Sequence, residues 1–257
     1  MGTLSGKVAL ITGAAGEHGI GRSIAKRYAQ EGATLYLVDH PSAESQLKAA
    51  AAECLAEAPG SRCEYATYDL ALEGSAESMI EAAVKAVGRI DVLVNNAGVR
   101  ARCEFGSFTR KIFNEAVSVN LATPFFASQA VAPIMKRQGG GRIIHIASQM
   151  GTVAHERRAV YGMTKAALIY LTKAMAYELA PDGIVVNAIS PGPVLTGYMK
   201  DEMDKNPQLR EARNAYMRLA RLGQPEEIAE VALFLAASSP ELLLGQNLIV
   251  DGGYTIH

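Results

Sequence analysis

Tyr161 and Lys165 stand four residues apart in VYGMTKAALIYL, so on a helix they share one face and the ammonium can reach the phenol. A free phenol titrates near pH ~10, too high for proton transfer at neutral pH, and a neighbouring cation lowers that value by favouring phenolate. The pair could therefore act as acid and base, with Lys165 making Tyr161 usable. Ser148 closes the apolar run RIIHIAS, which reads as a buried strand whose carboxyl edge offers the hydroxyl to a substrate oxygen. Taken alone, the YxxxK spacing is a weak signal, because most such pairs are solvated helix faces. Its weight comes from the rest of the chain.

The elements that must position these groups alternate along the sequence. VALIT, TLYLV, CEYATY, DVLVN, RIIHIA, IVVNAI and NLIV are apolar or β-branched runs of strand length. Between them, residues 20–31, 43–57, 75–87, 109–137, 160–180 and 226–237 have helical period. This alternation predicts an α/β fold, a doubly wound parallel sheet of about seven strands with helices on both faces. Pro124 and Pro133 predict a kink or break inside the fourth helical segment.

The first strand leads directly into TGAAGEHGIG, with Gly13, Gly16, Gly19 and Gly21 ahead of a helix. Glycines let the backbone turn sharply and approach a pyrophosphate, while the helix N-terminus supplies N–H groups and partial positive charge. Asp39 closes the second strand, where a carboxylate can accept hydrogen bonds from both adenosine ribose hydroxyls and would repel a 2′-phosphate. The expected cofactor is NAD.

Composition narrows the function class. The net charge of -1 arises from interspersed signs, with no basic stripe for nucleic acid and no polybasic membrane anchor. Cys54, Cys63 and Cys103 lack metal-ligand spacing, so neither a metal site nor a disulfide framework is expected. No apolar run is long enough for a signal peptide or a bilayer span, and a cytoplasmic protein acting on a small molecule is expected. No linker or charge run divides the 257 residues, which predicts one domain over 1–257.

With these features assembled, the chain resembles the short-chain dehydrogenase/reductase family over essentially its whole length. The motifs are TG...GIG, Asp39, Asp69 and Leu70 after the third strand, NNAG from Asn95 to Gly98, Asn120, Ser148, Tyr161, Lys165, and SPGPVLT from Ser190 to Thr196. The resemblance implies a Rossmann-type fold and a catalytic tetrad of Asn120, Ser148, Tyr161 and Lys165. It implies that Gly13, Gly19 and Ile20 bind the cofactor, that Asp69 and Leu70 border the adenine, and that Asn96, Ala97 and Gly98 flank the cofactor. Pro191, Gly192, Val194 and Thr196 would also bind the cofactor, the last two at the carboxamide. Tyr161 and Lys165 would touch it too, with Lys165 holding the nicotinamide ribose, and Asn120 would bind a water linking Lys165 to solvent. One departure is the glycine loop: five residues, AAGEH, separate Gly13 from Gly19, two more than the family's usual spacing. This places Glu17 and His18 near the pyrophosphate position, as a surface bulge or, less favoured, with His18 as a phosphate ligand, and either Gly16 or Gly19 could take the role of the central glycine.

The implied activity is NAD-dependent hydride transfer between the nicotinamide and a secondary alcohol or ketone. The alternatives are an NADPH-dependent 3-oxoacyl-thioester reductase and a catalytically silent dinucleotide-sensing protein. Asp39 and the lack of Arg or Lys in the glycine loop weigh against the first, and the intact tetrad against the second. Gln149, His155, Tyr198 and Met199 are candidate substrate residues, with a flap at about 195–218. His145 is expected to be a packed core residue, and Arg157 and Arg158 rim or subunit-contact residues. A mainly apolar lining favours a neutral cyclic or aromatic substrate; Arg100 or Arg102 turned inward would favour a carboxylate instead. The resemblance also implies a homo-oligomer, dimer or tetramer, through 109–137 and 160–180, with the C-terminal strand also used.

Overall fold

The computed structural model describes residues 2–206, 208, 211 and 217–256, without the side chains of Tyr198, Asp201 and Glu202. Strand β1 (Val8–Thr12) is buried throughout, and the period-two alternation of strand side chains divides it between two cores. Ala9 and Ile11 enter one, Leu10 the other. The same division separates Leu35 and Leu37 from Tyr36 and Val38 in β2 (Thr34–Asp39), and Val92 and Val94 from Leu93 in β4 (Val92–Asn95). Both faces of the sheet are therefore covered, which is why these strands read as continuous apolar runs.

The sheet has seven strands in the order β3-β2-β1-β4-β5-β6-β7, all pairs parallel, completed by β3 (Cys63–Thr67), β5 (Gly141–Ile146), β6 (Ile184–Pro191) and β7 (Asn247–Val250). Ala9 pairs with Leu35 on one side and with Val92 on the other, so chain order reverses at β1. A ligand crevice opens at such a switch point, beyond the carboxyl ends of the strands.

One face carries α1 (Ile20–Gln30), α2 (Glu44–Glu57) and α8 (Pro225–Leu233); the other carries α3 (Ser75–Val87), α5 (Thr123–Arg137) and α6 (Ala159–Leu179). Tyr28 of α1 is fully buried and its hydroxyl donates to the carbonyl of Ala232 over 2.8 Å, fastening α1 to α8. Helix α7 (Gly197–Lys205) follows β6. Leu209 and Tyr216, expected in the flap, lie outside the described residues, while Met203 and Met217 are buried.

The fourth helical segment is not uniform. Helix α4 (Arg110–Val117) passes through a π turn, Ser118–Ala122, into α5. The expected interruption therefore falls just before Pro124, and Pro133 lies inside α5 without ending it. A π turn widens the helix by one residue and commonly marks a functional position; this one contains Asn120.

Candidate active site

The glycine loop is shaped by what surrounds it. Gly13 has φ +70°, and a Cβ there would come within 2.8 Å of the Asn96 amide nitrogen. A Cβ at Gly21 would overlap the Gly13 carbonyl oxygen. Asn96 fills this space because its side chain donates to the carbonyls of Thr12 and Gly13, each at 2.9 Å, tying the end of β4 to the loop. Gly19 caps α1 in extended geometry, so the N-terminus of α1 opens into the loop. Glu17 and His18 are exposed.

Asp39 lies at the end of β2, and its Oδ2 accepts from the Ala15 backbone N–H at 2.8 Å. Oδ1 accepts from the N–H of His40 at 2.8 Å. The carboxylate is thus fixed against the loop at the strand edge. Asp69 lies near it, 3.9 Å from the His40 ring. Leu70 is buried, and its carbonyl accepts from Thr123 Oγ1 at 2.8 Å.

Ser148, Tyr161 and Lys165 line one cavity of about 850 Å³, together with Ile20, Asn96 and Gly98. Pro191, Gly192, Val194 and Thr196 form another part of its wall. Burial holds the Tyr161 phenol above its ordinary value; a hydrogen bond with Ser148 and the charges of Arg100 and Arg158 oppose that rise. The sequence points to Lys165 as the cation acting on the phenol. Its Nζ instead turns to the Ile146 carbonyl at 2.7 Å and lies 5.8 Å from the Tyr161 ring centroid. Burial pushes the Lys165 ammonium down to about 8.

Asn120 is fully buried on the π turn. Its Oδ1 accepts from Val99 N at 2.8 Å, and its Nδ2 donates to the Val99 carbonyl at 3.0 Å and to Thr164 Oγ1 at 3.1 Å. The side chain anchors the segment after NNAG, and both of its amide hydrogens are committed to protein. The water link expected of it has only the remaining acceptor capacity of Oδ1 and the backbone to use. A Cβ at Gly98 would sit 3.2 Å from Asn120 Oδ1, a tight approach, and 3.6 Å from Lys165 Nζ.

Among the substrate candidates, Gln149, His155 and Met199 line the cavity, whereas the Tyr198 side chain lies outside the described set. Gln149 is 2% exposed, and its Oε1 is buried without a hydrogen-bond partner. His145 is fully buried with its ring against Asn95 at 3.3 Å, and burial holds its pKa down to about 3. It is a neutral core residue, as expected.

Several contributing residues carried no local signal. Arg22, buried on α1, donates to the Ala15 carbonyl at 3.0 Å and pairs with Glu53 at 2.7 Å, gripping the glycine loop from behind. Thr12 Oγ1 accepts from the N–H groups of Asn96 and Ala97, both at 3.0 Å. Arg158, expected at a rim, lines the cavity, as does Tyr254 from the far end of the chain. Only the pairing of distant segments reveals them. Among the described residues no cluster has the makings of a metal site, and no helix is long and apolar enough to cross a membrane.

Comparison with known proteins agrees with this geometry. A family model described as Enoyl-(Acyl carrier protein) reductase matches residues 13–255. The chain is 38% identical over 262 residues to the uncharacterized oxidoreductase YxjF of Bacillus subtilis, covering 97% of this chain and 98% of that protein. It is 33% identical over 253 residues to the NAD-dependent glycerol dehydrogenase of Listeria innocua, covering 98% and 95%. A solved 3-oxoacyl (acyl-carrier-protein) reductase from Agrobacterium tumefaciens C58 with NADP bound superposes with a TM-score of 0.91 at 28% identity, covering 98% and 95%.

Proposed function

The chain belongs to the short-chain dehydrogenase/reductase family, and we propose that within it this protein is an NAD-dependent oxidoreductase acting on a secondary alcohol or its ketone. The observation that carries this reading is the convergence of Ser148, Tyr161 and Lys165 on one cavity whose wall also includes Ile20, Asn96 and Thr196.

The residues present fit a dinucleotide. The glycine loop has no room for side chains at Gly13 and Gly21. Asp39, held at the end of β2 by the Ala15 N–H, would accept from the ribose hydroxyls. Gly13, Gly19, Ile20 and the N-terminus of α1 would hold the phosphates, Asp39, Asp69 and Leu70 the adenosine end, and Asn96, Ala97 and Gly98 the middle. Pro191, Gly192, Val194 and Thr196 would border the nicotinamide. When bound, the cofactor supplies the acceptor or donor of the hydride.

The chain's own residues handle the proton and the substrate. Ser148 and Tyr161 would hydrogen-bond the carbinol oxygen, and Tyr161 would accept its proton in oxidation or return one in reduction. The hydrogen bond with Ser148 and the charges of Arg100 and Arg158 favour the phenolate that oxidation requires. Lys165, held by the Ile146 carbonyl, would orient the nicotinamide ribose. Asn120 keeps the segment after NNAG in place by bonding both backbone groups of Val99.

Cofactor choice follows from Asp39, whose charge would face a 2′-phosphate. The test is a panel of secondary alcohols with NAD and with NADP, followed by absorbance of the reduced nicotinamide. Turnover with NAD is expected. Faster reduction of an acetoacetyl thioester by NADPH would replace this reading, and nucleotide binding without any turnover would identify a sensing protein.

A further inference from the structure

We propose that Arg100, Arg102 and Arg158 form an anion site within the active-site cavity, and that the substrate is a secondary alcohol or ketone carrying a carboxylate. This rests on the oxidoreductase reading above and deepens it.

The charge distribution is the first ground. The whole chain carries a net charge of only -1, yet Arg100, Arg102 and Arg158 line the same cavity as Ser148 and Tyr161, Arg100 and Arg102 as exposed residues and Arg158 half-buried. Glu156 is the one acidic residue among the described lining residues, and His155 and Lys165 are the other titratable bases there. A substrate carboxylate entering this cavity therefore meets a surplus of positive charge. Burying such a group unpaired is what makes apolar pockets reject it, and paired guanidiniums remove that penalty.

Backbone geometry is the second ground. Among the described residues, three that are not glycine have positive φ: Ala101 at 35°, Arg157 at 59° and Ala220 at 51°. Ala101 separates Arg100 from Arg102, and Arg157 precedes Arg158. Positive φ is unfavourable for an L-residue and tends to persist where it aims a functional group.

The two loops are also joined to each other. Arg157 pairs with Glu104 at 2.7 Å, Arg158 Nη1 donates to the Arg100 carbonyl at 3.2 Å, and Arg100 Nη2 donates to Thr196 Oγ1 at 3.1 Å. These contacts preorganise the guanidiniums, which lowers the entropy lost when an anion binds. Arg100 and Arg158 also act on the Tyr161 phenol. A carboxylate alone beside that phenol would oppose its ionisation; the arginines offset this, so the same groups that seat the anion keep the acid-base residue serviceable.

The test uses the full chain with NADH present and matched probes, cyclohexanecarboxylate against cyclohexanecarboxamide and benzoate against benzamide, with Kd measured by calorimetry. The carboxylates are expected to bind at least about tenfold more tightly. That preference should fall below about threefold in Arg100→Gln, Arg102→Gln and Arg158→Gln, and in wild-type protein at about 0.5 M KCl, where charge pairing is screened. The salt arm needs no variant to fold. Equal affinities, tighter amide binding, or a preference that survives salt and all three substitutions would overturn the proposal. Failure of the oxidoreductase reading would appear separately, as absent alcohol-dependent reduction of NAD.

Discussion

The ammonium of Lys165 donates a 2.7 Å hydrogen bond to the backbone carbonyl of Ile146, so the helix that carries Tyr161 is latched to the strand that runs into Ser148. Burial pushes that ammonium down to about 8, whereas an unfolded lysine titrates near ~10.4. Between those values the unfolded chain holds a proton that the folded chain has released, so this residue's contribution to stability rises with pH. Below about 8 its charging penalty is present in full. The Tm of wild type relative to Lys165→Met should therefore climb from pH 8 to pH 10. A constant difference would mean that the folded lysine titrates normally.

Tyr161→Phe should lower kcat by at least about a hundredfold, the scale of general acid-base catalysis, with NADH affinity retained. Retention of more than about a tenth of wild-type kcat would remove Tyr161 from the role. The phenol is raised by burial and opposed by Ser148, Arg100 and Arg158. Oxidation should therefore rise with pH into the alkaline range, and Arg158→Gln should move that limb to higher pH. Movement toward lower pH would contradict the sign of the interaction.

Asp39 accepts the Ala15 N–H at 2.8 Å, and under the proposed reading its carboxylate would face a 2′-phosphate. Wild type should prefer NAD over NADP by about a hundredfold in kcat/KM, the few-kcal/mol scale of a like-charge clash. Asp39→Ala should shrink the preference mainly by harming NAD. Equal use of both cofactors by wild type would refute the assignment.

Arg22 bonds the carbonyl of the same Ala15 at 3.0 Å and is held by Glu53. Arg22→Ala leaves that loop carbonyl without this donor, a loss of about 1–3 kcal/mol. The KM for NAD should rise several-fold with kcat changed less, and Arg22→Lys should restore part of the loss. An unchanged KM would show that the loop needs no support from behind.

Val117, Leu121, Phe125, Phe126, Tyr170 and Leu171 line an apolar groove across the α4 to α6 surface, with Phe125 and Phe126 42% exposed and Tyr170 72% exposed. A second copy of the chain covering this surface would bury it across a two-fold axis. Light scattering should give a dimer or tetramer, and Phe125→Glu with Tyr170→Glu should yield smaller species. A wild-type monomer at micromolar concentration would exclude the assembly.

The α/β alternation was legible because the central strands are buried on both faces, and the edge strands β3 and β7, only partly buried, keep the same strand-length runs. All seven strand runs appear within a residue or two of their expected bounds. The positions of Ser148, Tyr161 and Lys165 could be anticipated because a strand end and a helix face fix them locally. What could not be read was direction. Lys165, a buried ammonium, takes the Ile146 carbonyl as its acceptor, and Arg158 lines the cavity where its bond to the Arg100 carbonyl and the Arg157–Glu104 pair join two distant loops. Arg22 reads as one more basic residue on a helix until Glu53 and Ala15 are seen around it.

The glycine loop divides into fixed ends and an open middle. Alanine at 21 would overlap main chain at Gly13, and alanine at 13 would meet Ala97 as well as Asn96, so no side-chain change at 96 makes room for either. A Cβ at Gly16, by contrast, would stand 3.7 Å from the Cα of Gly19, ordinary contact, and Gly16, Glu17 and His18 are all exposed. A directed-evolution library confined to those three positions can therefore recharge the exposed middle of the loop while leaving its fixed ends intact. The added length of the loop gives the protein engineer a replaceable segment beside an unalterable one.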